Sequence, residues 1–353
     1  MPTTLGDDDG AREVDLIHEV GDRDVRQNAP MRSISKTVVS QDIAAAIVAD
    51  AFGPNVALVE FNEATEGWFN AAYRLGLDDG RQAVLKVAPP PEVTVMRYEH
   101  DLMATEVAAL QLAGERTAIP VPAVLWSDTS CRRVPSSLFV MERCFGVLLS
   151  ELRPTLDAEQ QEHIDAQLAV HLRQLHDITH TGFGLGAPSA PSFDSWGDCF
   201  AHLIDDLLAD REAKDVDLGI ADDRVRSLIA ERRAALDEVT VRRFVHWDLW
   251  DSNVFIDPET LAVSGVIDFE RALWADPLME AQFYTKASDA SFIAAYGSAM
   301  VTIDAERERR LLYDLYLFLI MVIEGAYRHY GDDTVETIGR DRLRHTLVRL
   351  GEL

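Results

Sequence analysis

The feature that most restricts the fold is a short polar motif between apolar segments near residue 250. Residues 246–253 read HWDLWDSN, and residues 267–270, which read IDFE, end a strand-like apolar run that begins at Ala262. Asp268 follows Asn253 by fifteen residues. The first segment has the composition of a loop and the second ends a strand, and we expect the two to converge at one site.

The residue types in this motif match the requirements of phosphoryl transfer from a nucleotide. That reaction needs a carboxylate to orient the attacking hydroxyl and accept its proton, oxygen ligands for Mg²⁺, and a cation on the phosphates. The spacing of Asp248 and Asn253 equals that of the H-R-D-x-x-x-x-N segment of protein kinases, where D-F-G stands in place of D-F-E. We therefore predict that Asp248 is the catalytic base and that Asn253 and Asp268 bind Mg²⁺.

Other residues of the motif admit more than one interpretation. We interpret His246 as a structural hydrogen-bonding residue. Asp251 is either a solvated loop acid or a contact for a cationic substrate, and the sequence does not choose between them. An ordinary polar loop and a metal hydrolase with an H-x-D ligand pair are alternatives for the whole motif. The hydrolase would require further His or Asp ligands nearby, and the sequence has no such cluster.

A candidate for the phosphate-binding cation lies in the first half of the chain. Lys86 is part of Val84–Val87 (VLKV), which fits the V-A-I-K strand pattern of protein kinases. A lysine inside an apolar strand is costly to bury unless it is paired. Its partner would lie on the following helix, where Glu99 and Glu106 are seven residues apart and share one face. The alternative for Lys86 is a surface position on an edge strand.

The hairpin before Lys86 is the candidate for a loop that contacts phosphate. Strand-like runs at Phe69–Leu77 and Gln82–Val87 are joined by an Asp-Asp-Gly turn, which is a strong hairpin signal. The loop that precedes the first run contains one glycine, Gly67, which permits close approach of the backbone to phosphate. We expect Asn70 to support this loop.

The order of strand and helix patterns predicts an α+β fold with two lobes. Strand-like segments and a helix at Tyr98–Ala113 occupy the first half, whereas the segments after Gly146 mostly show the 3.6-residue period of helices. We expect a disordered tail at residues 1–33 and a nucleotide-binding sheet lobe with one helix at residues 34–141. A hinge at residues 142–145 and a helical lobe at residues 146–353 would follow.

Composition limits the partners of the protein. The chain has 60 acidic and 33 basic residues and a formal charge of −27, so its surface should repel nucleic acid and anionic lipid. A cationic small molecule is compatible with this charge, although acidity can also serve solubility alone. Three sparse cysteines suggest buried free thiols in a reducing cytoplasm. The longest apolar run, residues 315–323, is shorter than the ~20 residues of a membrane span, and we expect no membrane partner.

With these motifs, the sequence resembles the aminoglycoside phosphotransferase and choline kinase-like family over residues 38 to 345. The resemblance rests on four segments: the Gly67 hairpin with Val84–Val87, residues 105–122, residues 139–146, and residues 246–278. It implies a bilobal protein-kinase-like fold, with Mg²⁺ as cofactor and ATP or GTP as co-substrate. It also favours Glu106 over Glu99 as the partner of Lys86. The backbone of the hinge would hold the nucleotide base, at Met141, Glu142 and Cys144.

The function that this resemblance implies is transfer of the γ-phosphate to a hydroxyl of a small molecule, with an antibiotic as the favoured substrate. A metabolic kinase acting on a choline-like, amino-acid or sugar substrate shares every motif and stays open. A pseudokinase is less favoured because Lys86, Asp248, Asn253 and Asp268 are all present. The acidic residues between 205 and 217 fit either cationic substrates or solvated helix faces.

Overall fold

The structure of the protein is a computed structural model that describes residues 36–64, 70–280, 286, 289–299, 301–328 and 333–352. The predicted tail at residues 1–33 and the loop glycine Gly67 lie outside the described residues.

An antiparallel sheet of five strands forms the core of the N-terminal lobe. In spatial order its strands are β1 (Leu58–Ala64), β2 (Ala71–Leu77), β3 (Gln82–Val87), β5 (Leu138–Glu142) and β4 (Val124–Asp128). Leu75, Leu85 and Val140 from the central strands pack with Ile47 of helix α1 (Gln41–Phe52). The predicted turn between β2 and β3 is present, and Gly80 adopts a φ of 89° that glycine tolerates without strain.

The helix that we predict at Tyr98–Ala113 begins later and ends later. Helix α2 spans Leu102–Arg116, and a separate 3-10 turn covers Arg97–Glu99. Between them Asp101 has a φ of 61°, a left-handed conformation that ends the helical path. The buried side chain of Glu99 accepts a hydrogen bond from the backbone nitrogen of Met96 (2.9 Å), which fixes this turn at the start of α2.

Helices make up most of the C-terminal lobe. They are α3 (Leu149–Leu152), α4 (Ala158–His176), α5 (Trp196–Ala213), α6 (Asp222–Glu231), α7 (Arg233–Asp237), α8 (Ala290–Tyr296), α9 (Asp304–Arg328) and α10 (Thr334–Arg349). The apolar run at residues 315–323 lies in α9, which is largely buried and packs along α10. Among the helices of the described residues, none combines the length and the apolar character that a membrane crossing requires.

Short strands position the polar motif within this helical lobe. They are β6 (Val147–Leu148), β7 (Thr179–His180), β8 (Gly184–Leu185), β9 (Arg242–Val245), β10 (Val254–Ile256), β11 (Val263–Val266) and β12 (Leu273–Ala275). They form one sheet in the order β11-β10-β6 and another in the order β7-β9-β12-β8. The motif loop leaves β9 and enters β10, and Asp268 lies two residues after the end of β11. Because β10 and β11 pair with each other, the loop and the strand end meet.

Candidate active site

Lys86 connects the two lobes through carboxylates on each side. Its Nζ lies 2.7 Å and 2.9 Å from the two carboxylate oxygens of Glu106, and 2.8 Å from Oδ1 of Asp268. Glu106 comes from the buried face of α2, and Asp268 from the turn after β11. The edge-strand alternative for Lys86 is wrong, because β3 lies between β2 and β5 and the lysine is buried. The other candidate partner, Glu99, contacts Arg328 instead.

Three carboxylates surround the Lys86 ammonium. Oxygen atoms of Glu106, Asp268 and Glu270 all lie within 4.8 Å of one another. Burial, together with the neighbouring carboxylates, raises the pKa of Glu106 to about 7 and the pKa of Glu270 to about 8. Burial also opposes the charge of Asp268, but the Lys86 ammonium holds the pKa of that carboxyl below its ordinary value. The cluster therefore favours the binding of a further cation beside the Lys86 ammonium.

The donor atoms of this cluster fit a Mg²⁺ ion, which prefers oxygen ligands. Asp268, one of the two predicted metal ligands, is part of the cluster. Asn253, the other, donates its Nδ2 to the backbone oxygen of Asp248 (2.8 Å), so its Oδ1 is the atom that would face a cation. Glu270 was missed as a candidate ligand. Its only sequence signal was its place two residues after Asp268.

Asn70 links the loop region of the N-terminal lobe to this cluster. Its Nδ2 donates to Oε2 of Glu270 at 2.6 Å, and both side chains are buried. Asn70 directly precedes β2, and Asp268 has a φ of 68° that turns Glu270 back toward the sheet lobe. The sequence placed Asn70 near the phosphate loop but gave no indication of this partner.

Asp248 is held in the motif loop by hydrogen bonds to its backbone and its side chain. Its backbone nitrogen donates to Nδ1 of His246 at 3.2 Å, and Oδ1 accepts the indole N–H of Trp250 at 2.6 Å. Because Nδ1 of His246 accepts, Nε2 carries the ring proton and donates to the backbone oxygen of Ile267 (3.2 Å). His246 thus ties the motif loop to the strand end that carries Asp268.

Glu280 fixes the backbone of the motif loop, a role that the sequence did not predict. Its two carboxylate oxygens accept the backbone N–H groups of His246 (2.8 Å) and Trp247 (2.9 Å). Glu280 is fully buried, and Nε2 of His176 lies 3.3 Å from its Oε1. Trp247 has a φ of 65°, an unfavourable conformation for tryptophan that these bonds maintain. An acid directly after the apolar run Pro277–Met279 was the available signal.

The interpretation of Asp251 as a solvated loop acid is wrong. Asp251 forms an ion pair with Arg153, whose Nη2 also binds Oδ1 of Asp165 at 2.9 Å. Nζ of Lys286 reaches Oδ2 of Asp165 at 2.6 Å. All four side chains are mostly shielded from solvent. Asp251 therefore anchors the motif loop to the turn after α3 and to α4 instead of facing solvent.

The predicted hinge follows β5 and has part of its backbone already engaged. The nitrogen of Glu142 donates to the oxygen of Ala123 (2.9 Å), and the nitrogen of Arg143 donates to the oxygen of Gln82 (3.3 Å). Within residues 70–280, the N–H of Cys144 has no such partner. Met141 is buried, Glu142 is exposed and Cys144 is half-buried. The same holds for Phe145, so Cys144 and Phe145 are the hinge residues whose N–H groups are available to a ligand.

Comparison with known proteins places this arrangement in a family. A sequence profile of the phosphotransferase enzyme family matches residues 60–312, which is more than two thirds of the chain and includes Lys86, Asp248 and Asp268. The chain belongs to this family. The membership confirms the predicted enzyme class, a kinase-type phosphotransferase with an alcohol group as acceptor. A sequence comparison with curated proteins finds no match.

Solved structures with the same fold include members of the phosphotransferase family. A thermostable mutant of aminoglycoside phosphotransferase APH(4)-Ia, in complex with AMP-PNP and hygromycin B, superposes with a TM-score of 0.59 at 20% identity, covering 87% of this chain and 98% of that one. The GDP and kanamycin complex of APH(2")-IIIa superposes with a TM-score of 0.58 at 16% sequence identity. The match covers 87% of this chain and 98% of that one. A protein from Thermobifida fusca, proposed to be a fructosamine-3-kinase, superposes with a TM-score of 0.57 at 19% sequence identity. The match covers 86% of this chain and 98% of that one. The predicted α+β, protein-kinase-like fold is confirmed.

Proposed function

We propose that this phosphotransferase moves the γ-phosphate of ATP or GTP, bound with Mg²⁺, to a hydroxyl of a small molecule. The observation that carries the proposal is the contact of Lys86 with both Glu106 and Asp268, next to the loop of Asp248. A strand lysine paired with a helix glutamate, beside a metal-binding aspartate, is the arrangement that phosphoryl transfer requires.

Each residue has a defined task in this proposal. Asp248 accepts a hydrogen bond from the acceptor hydroxyl and takes its proton as the hydroxyl oxygen bonds to the γ-phosphorus. The bond from that phosphorus to the β-phosphate oxygen breaks, and the nucleoside diphosphate leaves. Lys86 binds phosphate oxygens of the nucleotide, and Glu106 keeps its ammonium in place. Asn253, Asp268 and Glu270 would hold Mg²⁺, which, when bound, neutralises charge on the β- and γ-phosphates.

The nucleotide base would lie against the hinge. We propose residues 34–141 as the nucleotide-binding lobe, residues 142–145 as the hinge and residues 146–353 as the lobe that binds the acceptor. The free N–H of Cys144 would donate to the base, whereas the N–H groups of Glu142 and Arg143 contribute to the shape of the hinge. Gly67 would lie in the loop over the phosphates, and Asn70 would support that loop.

We propose an antibiotic as the acceptor, because structural relatives of this fold bind hygromycin B and kanamycin. A metabolic acceptor is the alternative, favoured by the likeness to the protein proposed to be a fructosamine-3-kinase. The test is a panel of hygromycin B, kanamycin, fructosyl-lysine and choline with labelled ATP or GTP and Mg²⁺. Transfer to an antibiotic supports the proposal, and transfer to fructosyl-lysine or choline alone favours the alternative.

The matched control for this panel is Asp248→Ala. We expect the variant to lose phosphoryl transfer and to bind nucleotide almost as tightly as the wild type. A variant that retains most of its turnover would remove Asp248 from its proposed role. If the wild-type protein transfers phosphate to none of the acceptors and does not hydrolyse ATP in the presence of Mg²⁺, the proposed function is wrong.

A further inference from the structure

Trp250 lies two residues after Asp248 and has no assigned role in the proposed reaction. Its Nε1 is 2.6 Å from Oδ1 of Asp248, and the ring is half-buried at the motif loop. An indole N–H is a donor without acceptor capacity, and an ionised carboxylate is an acceptor without donor capacity. The hydrogen bond therefore has only one possible direction: the tryptophan donates to the carboxylate that would activate the acceptor hydroxyl.

The backbone of Trp250 is fixed by two hydrogen bonds, which set the direction in which the indole leaves the loop. The nitrogen of Trp250 donates to the backbone oxygen of Asp248 at 3.1 Å, and its own oxygen accepts the nitrogen of Asn253 at 2.9 Å. Trp250 is extended, with φ −98° and ψ 164°, and caps the 3-10 turn at Asp251–Asn253. The loop that places Asn253 also places the indole against Asp248.

The two oxygens of the Asp248 carboxylate are not equivalent in this arrangement. Oδ1 is occupied by the indole, and within residues 70–280 no side chain donates a hydrogen bond to Oδ2. A carboxylate with one oxygen fixed loses the freedom to rotate about its terminal torsion. Oδ2 is then presented in one direction, which is what a base needs because misplacement by about 1 Å can reduce a rate by about 10²-fold.

We propose that Trp250 is a positioning residue for the reaction: its indole N–H holds Oδ1 of Asp248 so that Oδ2 receives the acceptor hydroxyl. This inference rests on the proposed function. The side-chain hydrogen bond of Trp250 goes to Asp248, and Trp250 acts through that carboxylate. Its contribution therefore lies in kcat and not in nucleotide affinity.

The test uses the full-length protein with Mg·ATP, with water as the acceptor and with hygromycin B and kanamycin. Trp250→Phe keeps an aromatic ring and removes the N–H. Replacement of Trp250 by benzothienylalanine keeps the shape of the indole and puts sulfur in place of the N–H. We expect kcat to fall by about 10- to 100-fold in both variants, the range of a lost hydrogen bond to a charged group. The KM for Mg·ATP should stay within about twofold of the wild type.

Two comparisons separate positioning from a structural role. Trp126→Phe makes the same substitution at a half-buried tryptophan of β4, outside the site, and should leave kcat unchanged. In an Asp248→Asn background, Trp250→Phe should cause no further loss, because residues that act as a unit are not additive. A Trp250→Phe variant with wild-type kcat, an equal loss in the Asp248→Asn background, or a loss confined to KM overturns the inference while the proposed function stands. A wild-type protein without transfer or hydrolysis overturns both.

Discussion

The carboxylates around Lys86 differ from one another although they share one cluster. Asp268 contacts the ammonium at 2.8 Å, and its pKa is lowered, whereas burial raises the pKa of Glu106 to about 7 and the pKa of Glu270 to about 8. Asp268 is therefore the carboxylate that keeps its negative charge through neutral pH without a metal. A divalent cation that enters the cluster binds first to the oxygen that is already ionised.

This difference predicts the effect of Asp268→Asn on nucleotide binding. The variant keeps the shape of the side chain and loses its charge, so calorimetry should show Mg·ATP affinity reduced by about 100-fold or more. Binding of ATP without Mg²⁺ should change little, since the loss acts through the metal. Asp223→Asn, at an exposed position in α6, is the matched control and should bind Mg·ATP normally. Equal Mg·ATP affinity in the Asp268 variant would rule out that residue as a metal ligand.

Sequence spacing was informative for the residues that are close together along the chain. Asp248, Asn253 and Asp268 belong to one loop–strand–turn unit, so their intervals describe their geometry directly. Glu270 and Glu280 were missed because their contacts are made across the fold. Asn70 reaches Glu270 over a separation of 200 residues, and no local pattern records such a contact. The ion pair of Asp251 with Arg153 was missed for the same reason.

At the scale of elements, long periodic helices were easier to predict than short strands. Helix α4 has a capping box at Asp157 and Gln160 and follows its period for 19 residues. Strands β6 to β8 contain two residues each, which is too short for an alternation to appear. Their existence depends on partners far along the chain, such as Leu273, which lies opposite both Leu185 and Val245.

The conformation of the motif loop depends on Glu280. Glu280→Gln offers one acceptor and places an NH₂ group against a backbone N–H, so one buried donor of the loop loses its partner. We expect a lower melting temperature, corresponding to about 2–4 kcal/mol, and a kcat reduced by at least tenfold because Asp248 shifts with the loop. Glu115→Gln on the exposed face of α2 should change neither quantity. A Glu280→Gln protein that melts and reacts like the wild type would show that the loop holds its shape without this carboxylate.

The proposed binding of the nucleotide base at the hinge can be tested by labelling Cys144. Burial raises the pKa of Cys144 to about 11 and the pKa of Cys199 to about 12, whereas Cys131 is exposed, contrary to the expectation of buried thiols. Since the thiolate is the reactive form, labelling of Cys144 in a Cys131→Ser variant should accelerate about tenfold per pH unit below pH 11. Mg·ATP should slow this labelling if the base lies at the hinge. Cys199 should react only after unfolding. If Mg·ATP does not change the labelling rate of Cys144, the nucleotide base binds elsewhere.

At the scale of the whole molecule, two ion pairs fasten the start of α2 to the helical lobe. Asp210 of α5 forms an ion pair with the Arg97 guanidinium and accepts the Arg97 backbone nitrogen at 2.8 Å. Nε of Arg328 in α9 donates to Oε1 of Glu99 at 3.1 Å across 229 residues. Because α2 carries Glu106, these contacts fix the position of Lys86 relative to Asp268. The site is thus assembled by contacts between lobes and not within either lobe alone.

Removing one member of the buried pair should therefore reduce both stability and nucleotide binding. Glu99 and Arg328 have side chains that are 1% and 8% exposed, and loss of one partner of such a pair costs about 3–5 kcal/mol. Asp50 and Arg133 form an exposed pair in the sheet lobe, where the expected cost is about 0–1 kcal/mol. Glu99→Gln should lower the melting temperature and weaken Mg·ATP binding, since Glu106 loses its fixed position, whereas Asp50→Asn should do neither. If both variants lose stability equally, the coupling between the lobes does not pass through the start of α2. If Glu99→Gln loses stability but binds Mg·ATP normally, that pair stabilises the fold without positioning Glu106.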